Sequence, residues 1–456
     1  MGPGILVLSI QALLIGTSLE NTNNFCGHFP SGDFTRACNF FNKWDDATRH
    51  LPKQVYQSTY TNLHSQGSTI YDCMDLACLC HFLKGTYTSK CVLPNGQVLK
   101  KAVRKEYRSL TDEERERYHN AVRTIKRNGE YDKLSMIHTQ CSTSPAAHGG
   151  PGFLGWHREF IKRYEIALRT VDHTVALPYW DSTIEERLHH KQDSTLWSKE
   201  LMGEADSDGY VRQSPFGRWY TTDGTEYFTR HIGQNRGYLI SESDFQTVVQ
   251  NTPSYQHIFA YTAASRQCYN PGFWTALEYV HGLPHMFVGG HMARITASTN
   301  DPLFWMHHAF VDLIWENWRK KHQNVQERET QYPYDDSTCS SQAHFMNSTM
   351  VPWHGKRNID GLSNKYTDFL YEYAPRPTCD FVNTNRCNSK YLFCDHSNGE
   401  PHCAAKIKIG GYCDQYIYTF LECRFQMRIA ATMEHAVEVS ALLTAKSKIE
   451  DVLDAG

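Results

Sequence analysis

The feature that most constrains this chain is a set of six histidines that fall into two groups of three. The groups are His138, His148 and His157, followed by His281, His285 and His308. Because His281 and His285 are four residues apart, a helix would place both imidazoles on one face, where they can reach one ion. Neutral imidazole nitrogens bind copper well, and three ligands per ion leave coordination positions open. The pattern therefore predicts two three-histidine sites for a pair of copper ions.

The segments that carry these histidines predict a mainly α-helical core. Thr111, with Glu114 three residues later, forms a capping box that begins one helix, and Asn128-Gly129 ends it. Further helices are predicted over residues 134–138, 153–170, 273–285 and 301–319. The glycine- and proline-rich stretch 141–155 predicts a loop that carries His148. We therefore expect a four-helix-bundle dicopper core with long loops, because facing helices hold metal ligands rigidly.

Fifteen cysteines indicate a disulfide-rich protein. Six lie early in the chain, between residues 26 and 91, and six lie late, between residues 379 and 423. Clusters of this kind are typical of disulfide frameworks in exported proteins. The alternative for Cys78-Leu-Cys80-His81 is a zinc knuckle. The odd count leaves one thiol free or paired between chains.

Composition and local patterns predict five regions in an exported protein. An apolar run at residues 5–15, too short to span a bilayer, predicts a signal peptide over 1–18. A small cysteine-rich N-terminal segment follows at 19–105, then the dicopper catalytic domain at 106–376, a cysteine-rich C-terminal module at 377–425 and a tail at 426–456. The formal net charge of −3 points to no nucleic-acid partner, and no later stretch predicts a membrane anchor. Asn347-Ser-Thr is a candidate N-glycan acceptor in a secreted protein.

Two strings around the histidines resemble the copper-binding signatures of the tyrosinase family. They are Phe153-Leu-Gly-Trp-His157-Arg-Glu-Phe and Asp301-Pro-Leu-Phe-Trp-Met-His307-His308. The resemblance continues through Pro178-Tyr-Trp-Asp181, Gly289-Gly-His-Met292 and Tyr371-Glu-Tyr373, from about Ser109 to Tyr373. It implies that the first three histidines bind copper A, that the second three bind copper B, and that His307 is a wall residue. The late module resembles that of secreted invertebrate tyrosinases, molluscan ones in particular.

The resemblance implies an enzyme that uses O2 to oxidise o-diphenols to o-quinones. Monophenols are further candidate substrates. Its partners would be phenolic small molecules or tyrosyl and DOPA side chains. Its work would be melanin formation or cross-linking of an extracellular matrix such as shell or cuticle. Two alternatives stay open. One is a haemocyanin-like oxygen binder whose coppers are shielded from phenols, and the other is a catalytically silent shell-matrix protein.

Four further positions carry expectations about the reaction. Glu278 matches the family's glutamate that orients an active-site water, which can deprotonate an incoming phenol. Gly282 stands where many strong monophenol hydroxylases have asparagine, which favours diphenol oxidation here. Ile295 aligns with the substrate gate over copper A, and Ser298 lies three residues beyond. The structural alternatives are an ordinary helix carboxylate for Glu278 and plain core packing for Ile295.

The surroundings of the ligands carry expectations as well. Some relatives have a cysteine, which forms a thioether, where this chain has Ala146, so no thioether is expected and Cys141 is assigned to a disulfide. Asp312, one turn beyond His308, is expected to orient a ligand imidazole by accepting its other N–H. An apolar shell that restricts solvent is predicted from four aromatic residues, which are Phe153, Trp156, Phe304 and Trp305.

Overall fold

The computed structural model describes residues 25–28, 32–51, 69–234, 237–263, 267–268, 275–382, 387–396 and 399–412. The expected signal peptide at 1–18 and tail at 426–456 lie outside the described residues, as do Cys413 and Cys423. Within the described ranges, no helix is both long enough and apolar enough to cross a lipid bilayer.

Helices dominate the described part of the chain. In order, they are α1 (Gly32–Arg49), α2 (Leu76–Phe82), α3 (Asp112–Arg127), α4 (Glu130–Ile137), α5 (Gly152–Val171), α6 (Thr183–Glu186), α7 (Glu242–Gln246), α8 (Tyr255–Ile258), α9 (Leu277–Val288), α10 (Leu303–His322) and α11 (Glu327–Thr330). The strands are short: β1 (Thr86–Tyr87), β2 (Cys91–Val92), β3 (Ala102–Arg104), β4 (Glu204–Ala205), β5 (Val211–Gln213), β6 (Tyr371–Tyr373), β7 (Leu392–Asp395) and β8 (His402–Ala405). This confirms the expectation of a mainly helical fold with long loops.

The core is built around α5 and α10, which pack against each other. Both helices are buried along nearly their whole length rather than on one stripe, as expected for helices at the centre of a protein. Helix α3 packs beside α5, and α9 packs against α10. Helix α3 begins with the predicted capping box, in which the Thr111 hydroxyl accepts from the backbone N–H of Glu114.

One pair of strands joins segments that are far apart in the sequence. The strands form two-stranded sheets, of which β1–β2, β4–β5 and β7–β8 are antiparallel. Strands β3 and β6 pair in parallel, with Ala102 opposite Tyr371 and Arg104 opposite Tyr373. A parallel pair needs a long crossover connection, and here helices α3 to α11 lie between the two strands in the sequence.

Six disulfides among the described residues confirm the cysteine-rich framework. They join Cys26 to Cys38, Cys73 to Cys78, Cys80 to Cys91, Cys268 to Cys339, Cys379 to Cys394 and Cys387 to Cys403. The zinc-knuckle alternative is wrong, because Cys78 and Cys80 are both in disulfides. The assignment of Cys141 to a disulfide is also wrong. Its thiol is free and partly buried, and burial raises its pKa, which makes it a weak nucleophile.

The described part of the C-terminal module packs against α6 and the residues that follow it. Its β7–β8 hairpin packs on Ile184 and Leu188. Backbone hydrogen bonds join Thr195 to the carbonyl of Lys406 at 2.8 Å and Lys408 to the carbonyl of Asp193 at 2.7 Å. These contacts attach the module to the loops that follow α6.

Candidate metal centre

Six buried imidazoles form two clusters at the centre of the helical core. In the first cluster, Nε2 of His138 lies 2.8 Å from Nε2 of His148 and 3.3 Å from Nε2 of His157. In the second, the Nε2 atoms of His285 and His308 are 3.4 Å apart, and His281 completes the group. The candidate ligand atoms of each group lie within 4.8 Å of one another. Both predicted trios are therefore assembled in space.

Four helices and one loop position these side chains. His138 caps the C-terminus of α4, His157 lies in α5, His308 lies in α10, and α9 carries the i, i+4 pair of the second trio. His148 lies in the loop between α4 and α5. The rings of His157 and His308 stack at 4.2 Å between centroids, so the two trios face each other.

Backbone carbonyls set the orientation of three imidazoles. Nδ1 of His157 hydrogen-bonds the carbonyl of Phe153 at 3.0 Å, and Nδ1 of His285 bonds that of Met292 at 2.8 Å. Nδ1 of His281 bonds the carbonyl of Glu278. A carbonyl only accepts, so each Nδ1 carries the proton and each Nε2 lone pair points into the cluster.

Burial keeps all six imidazoles neutral. It lowers the pKa of His138 to about 3 and that of His285 to about 4, and it holds the pKa values of the other four well below the usual range. Neutral imidazole is the form that binds a metal. Two trios of neutral nitrogen donors without a carboxylate or thiolate suit copper.

Aromatic rings enclose the two trios. Phe153 lies 4.6 Å from the ring of His157 and 4.5 Å from that of His281, so it fills the space between the clusters. Phe304 contacts His308 at 4.2 Å, and Trp156 contacts His157 at 5.0 Å. Three of the four predicted shell residues therefore touch ligand rings.

Two further residues, Trp305 and His307, lie beside this aromatic shell. Trp305 stacks on Tyr164 at 4.0 Å and packs on Phe304 rather than on a ligand ring. His307 is directed away from the second trio, with its Nε2 2.9 Å from the backbone carbonyl of His281. The expectation that His307 is a wall residue agrees with this position.

The loop that carries His148 is held from α9 by Glu278. One carboxylate oxygen of Glu278 accepts from the backbone N–H of Gly149 at 2.8 Å and lies 3.5 Å from Nδ1 of His148. The other oxygen accepts from the hydroxyl of Thr262. Gly149 has a φ of +91°, a left-handed conformation that favours glycine. Burial raises the pKa of Glu278 to about 8, and nearby copper charge would oppose that rise.

A cavity opens beside the histidines, with about 430 Å³ of empty space that includes the open solvent at its mouth. Its lining residues are Ala37, Phe40, Phe41, His138, His148, His281, Gly282, His285, Met286, Met292, Ala293, Ile295, Ser298 and Phe304. Three of the four positions expected to influence the reaction, Gly282, Ile295 and Ser298, are in this lining. Glu278 is not, because its carboxylate faces the His148 loop.

One wall of the cavity comes from α1, which sequence reasoning missed. For residues 19–105 the expectation is a cysteine-rich segment and no helix. The signal was present, because Ala37, Phe41, Trp44 and Thr48 recur at helical spacing and are all buried.

The expected role of Asp312 is wrong. Its carboxylate accepts from Nε of Arg158 at 2.6 Å and from the hydroxyls of Tyr371 and Tyr373 at 2.8 and 2.7 Å. These three partners engage both carboxylate oxygens of Asp312. Nδ1 of His308 has no hydrogen-bond partner among the described residues. Asp312 therefore joins α10 to α5 and β6 instead of orienting an imidazole.

The fold and site define a helical protein with a binuclear histidine centre of the type-3 copper class. A family profile described as the common central domain of tyrosinase matches residues 128–321. A tyrosinase of Streptomyces galbus is 32% identical over 58% of this chain and 96% of its own length. The chain belongs to the tyrosinase family, whose members bind two copper ions.

Two animal proteins are also similar. The tyrosinase-like protein tyr-3 of Caenorhabditis elegans is 44% identical over 87% of this chain, and the chain spans 57% of that protein's length. A tyrosinase-like protein of the mollusc Pinctada maxima is 30% identical over 68% of each chain. These relatives confirm the predicted family and its invertebrate branch.

Proposed function

We propose that this protein is a secreted copper-dependent phenol oxidase that converts o-diphenols, and less efficiently monophenols, to o-quinones with O2. The observation that carries the proposal is the junction of two neutral three-histidine clusters with an apolar cavity that opens beside them. The two histidine trios would hold a redox-active metal pair, and the cavity beside them would receive the phenol.

The six histidines would hold the two copper ions, which supply reversible electron transfer and O2 reduction when bound. In the overall diphenol reaction, two o-diphenols each lose two electrons and two protons, and one O2 becomes two waters. The carbonyl-bonded imidazoles keep their Nε2 atoms aimed at the centre, and Phe153, Phe304 and Trp156 exclude water around them.

The remaining site residues act on the phenol or on the ligands. Ile295 would gate the cavity, and the Ser298 hydroxyl donates to its carbonyl at 3.2 Å, which holds the gate in place. Gly282 leaves the wall beside His281 without a polar side chain. Glu278 would position His148 through the Gly149 contact and act on a nearby water through the same carboxylate.

The six disulfides in the described part of the chain support an extracellular site of action. We assign the quinone product to melanin formation or to cross-linking of an extracellular matrix, because quinones react with amines and thiols of proteins. The described part of the C-terminal module lines no part of the cavity, so it offers no support for a module-shielded oxygen carrier.

The test is O2 uptake and quinone absorbance from copper-loaded protein with L-tyrosine, p-cresol, L-DOPA and 4-methylcatechol. We expect rapid turnover of at least one diphenol and slower turnover of the monophenols. Reversible O2 binding without quinone from any of the four would identify an oxygen carrier. A copper content near zero in protein purified from its source would identify a silent matrix protein.

A further inference from the structure

Helix α1 forms the outer wall of the cavity. Phe41 stacks on the ring of His148 with 6.1 Å between centroids and 13° between planes. Phe40 lies in the lining one residue earlier and is 40% exposed, which places it at the mouth. Gly282 of α9 faces α1, because a β-carbon built on Gly282 would lie 3.8 Å from Cβ of Ala37. A phenol beside the histidines would therefore contact α1.

This wall is firmly attached to the core. The indole Nε1 of Trp44 donates to the carbonyl of Pro145 at 3.3 Å, and the indole ring lies edge-on to His148 at 5.2 Å. Asp45 accepts from the backbone N–H of Ser341 at 2.8 Å, and the Cys26–Cys38 disulfide ties the start of the helix. These contacts make α1 a fixed boundary rather than a loose covering.

The lining has no ionised side chain among the described residues. Apart from the four histidines, it is glycine, alanine, isoleucine, methionine, phenylalanine and one serine. Arg294 lies between two lining residues, but it is 3.7 Å from Glu226 and its side chain is 55% exposed. An ammonium or carboxylate that enters such a cavity loses its hydration without gaining a partner.

We propose that α1 and the uncharged lining make this a site for phenols whose substituent is apolar and uncharged, and that free amino acids such as L-DOPA are poor substrates. The proposal rests on the proposed function and names its substrate class. Phe40 is the specificity-determining residue at the mouth, because it meets the substituent opposite the hydroxyl groups.

The first test compares kcat/KM for 4-methylcatechol, L-DOPA and 3,4-dihydroxyphenylpropionate on wild-type protein. We expect 4-methylcatechol to exceed both charged catechols by about tenfold or more, the effect of one unpaired buried polar group. Equal or higher kcat/KM for either charged catechol would overturn the substrate class while leaving the phenol oxidase intact.

The second test places a cation at the mouth. Phe40→Arg should raise kcat/KM for 3,4-dihydroxyphenylpropionate relative to 4-methylcatechol by about tenfold, the effect expected of one new charge-assisted hydrogen bond. Asn39→Arg adds the same charge at the exposed position directly before Phe40 and should leave that ratio at its wild-type value. The same shift in both variants would exclude a local role for Phe40.

Binding without turnover separates this proposal from the proposed function. Saturation-transfer NMR on the copper(I) protein under nitrogen should give a lower Kd for p-cresol than for L-tyrosine. If no phenol is oxidised but this order of binding holds, the oxidase assignment fails and the ligand class stands. If L-tyrosine binds as tightly as p-cresol, the ligand class fails, whatever the activity.

Discussion

Gly282 is the residue whose replacement bears most directly on the choice between monophenols and diphenols. A β-carbon at this position meets only Ala37 within 4 Å, so a side chain fits. Gly282→Asn should raise the monophenol-to-diphenol rate ratio by about fivefold, because one added hydrogen bond to a water or phenol stabilises the reacting complex by ~1 kcal/mol. The ratio is measured with p-cresol and 4-methylcatechol by O2 uptake.

The matched control is Gly282→Ala, which adds the β-carbon without the amide. Its ratio should stay at the wild-type value. An unchanged ratio in the asparagine variant would remove Gly282 as the determinant.

His119 makes the stability of the protein depend on pH at a point remote from the metal centre. It is buried against Phe216 and hydrogen-bonds the Tyr107 hydroxyl at 2.7 Å, and burial lowers its pKa to about 3. Below pH 6.5 the unfolded chain binds a proton here that the folded protein does not. Stability therefore falls as pH drops from 6.5 toward 3, by about 1.4 kcal/mol per pH unit from this group.

His119→Gln should reduce the slope of the unfolding free energy against pH over that window, measured by urea unfolding, by about 1.4 kcal/mol per pH unit, while the other buried histidines keep their own contributions. Tyr107→Phe keeps the buried imidazole, so it should lower the unfolding free energy while preserving the wild-type slope. A slope in His119→Gln equal to that of wild type would show that other groups carry the dependence.

At the residue scale, the sequence allowed the metal ligands to be predicted better than their surroundings. The six histidines have spacings and flanking motifs that mark them. Asp312 has only a helical offset from His308, and that offset does not reveal that Arg158 and Tyr371 compete for its carboxylate. The contact between Thr262 and Glu278 joins a loop to α9 with no motif at all.

At the scale of elements, Asp312 joins α10 to α5, β3 and β6. Besides its hydrogen bonds to Arg158 and the two tyrosines, its carboxylate lies 3.6 Å from Nη1 of Arg104. Asp312→Asn should cost about 3 kcal/mol of unfolding free energy, because it removes one of the two carboxylates that pair with each of the buried guanidinium groups of Arg158 and Arg104. Urea unfolding measures the loss.

Copper bound per folded molecule should not change in this variant, because Asp312 touches no ligand ring. Asp368→Asn, at an exposed position, should change stability by less than about 0.5 kcal/mol. Copper loss in folded Asp312→Asn protein would restore a role for this carboxylate at the metal ligands.

Sequence patterns predicted the ligand-bearing helices but not α1. Helices α3, α4, α5, α9 and α10 have capping residues, glycine-rich boundaries or motif matches that set them apart. The cysteines of the N-terminal segment, Cys38 among them, predict a disulfide framework there, although the apolar residues of α1 repeat with a helical period. Which surface α1 would cover depends on long-range packing, which no local pattern records.

For the whole molecule, the disulfides differ in the length of chain they enclose. Cys268–Cys339 spans 71 residues, including α9 and α10, whereas Cys73–Cys78 spans 5. Chain entropy predicts a loss of about 4 kcal/mol when the first pair is replaced by serines and about 2 kcal/mol for the second. Urea midpoints of the two double variants, measured without reductant, test the order. A larger loss from the short loop would show that local packing outweighs chain entropy.

The pairing of β3 with β6 has a consequence for how this protein is made. The two strands are separated by the entire metal-binding core, so all six histidines leave the ribosome before Tyr371 can meet Ala102. A nascent chain that stops short of β6 holds every ligand but lacks both that pairing and the tyrosine hydroxyls that bond Asp312. Completion of the core must therefore follow translation of its last strand.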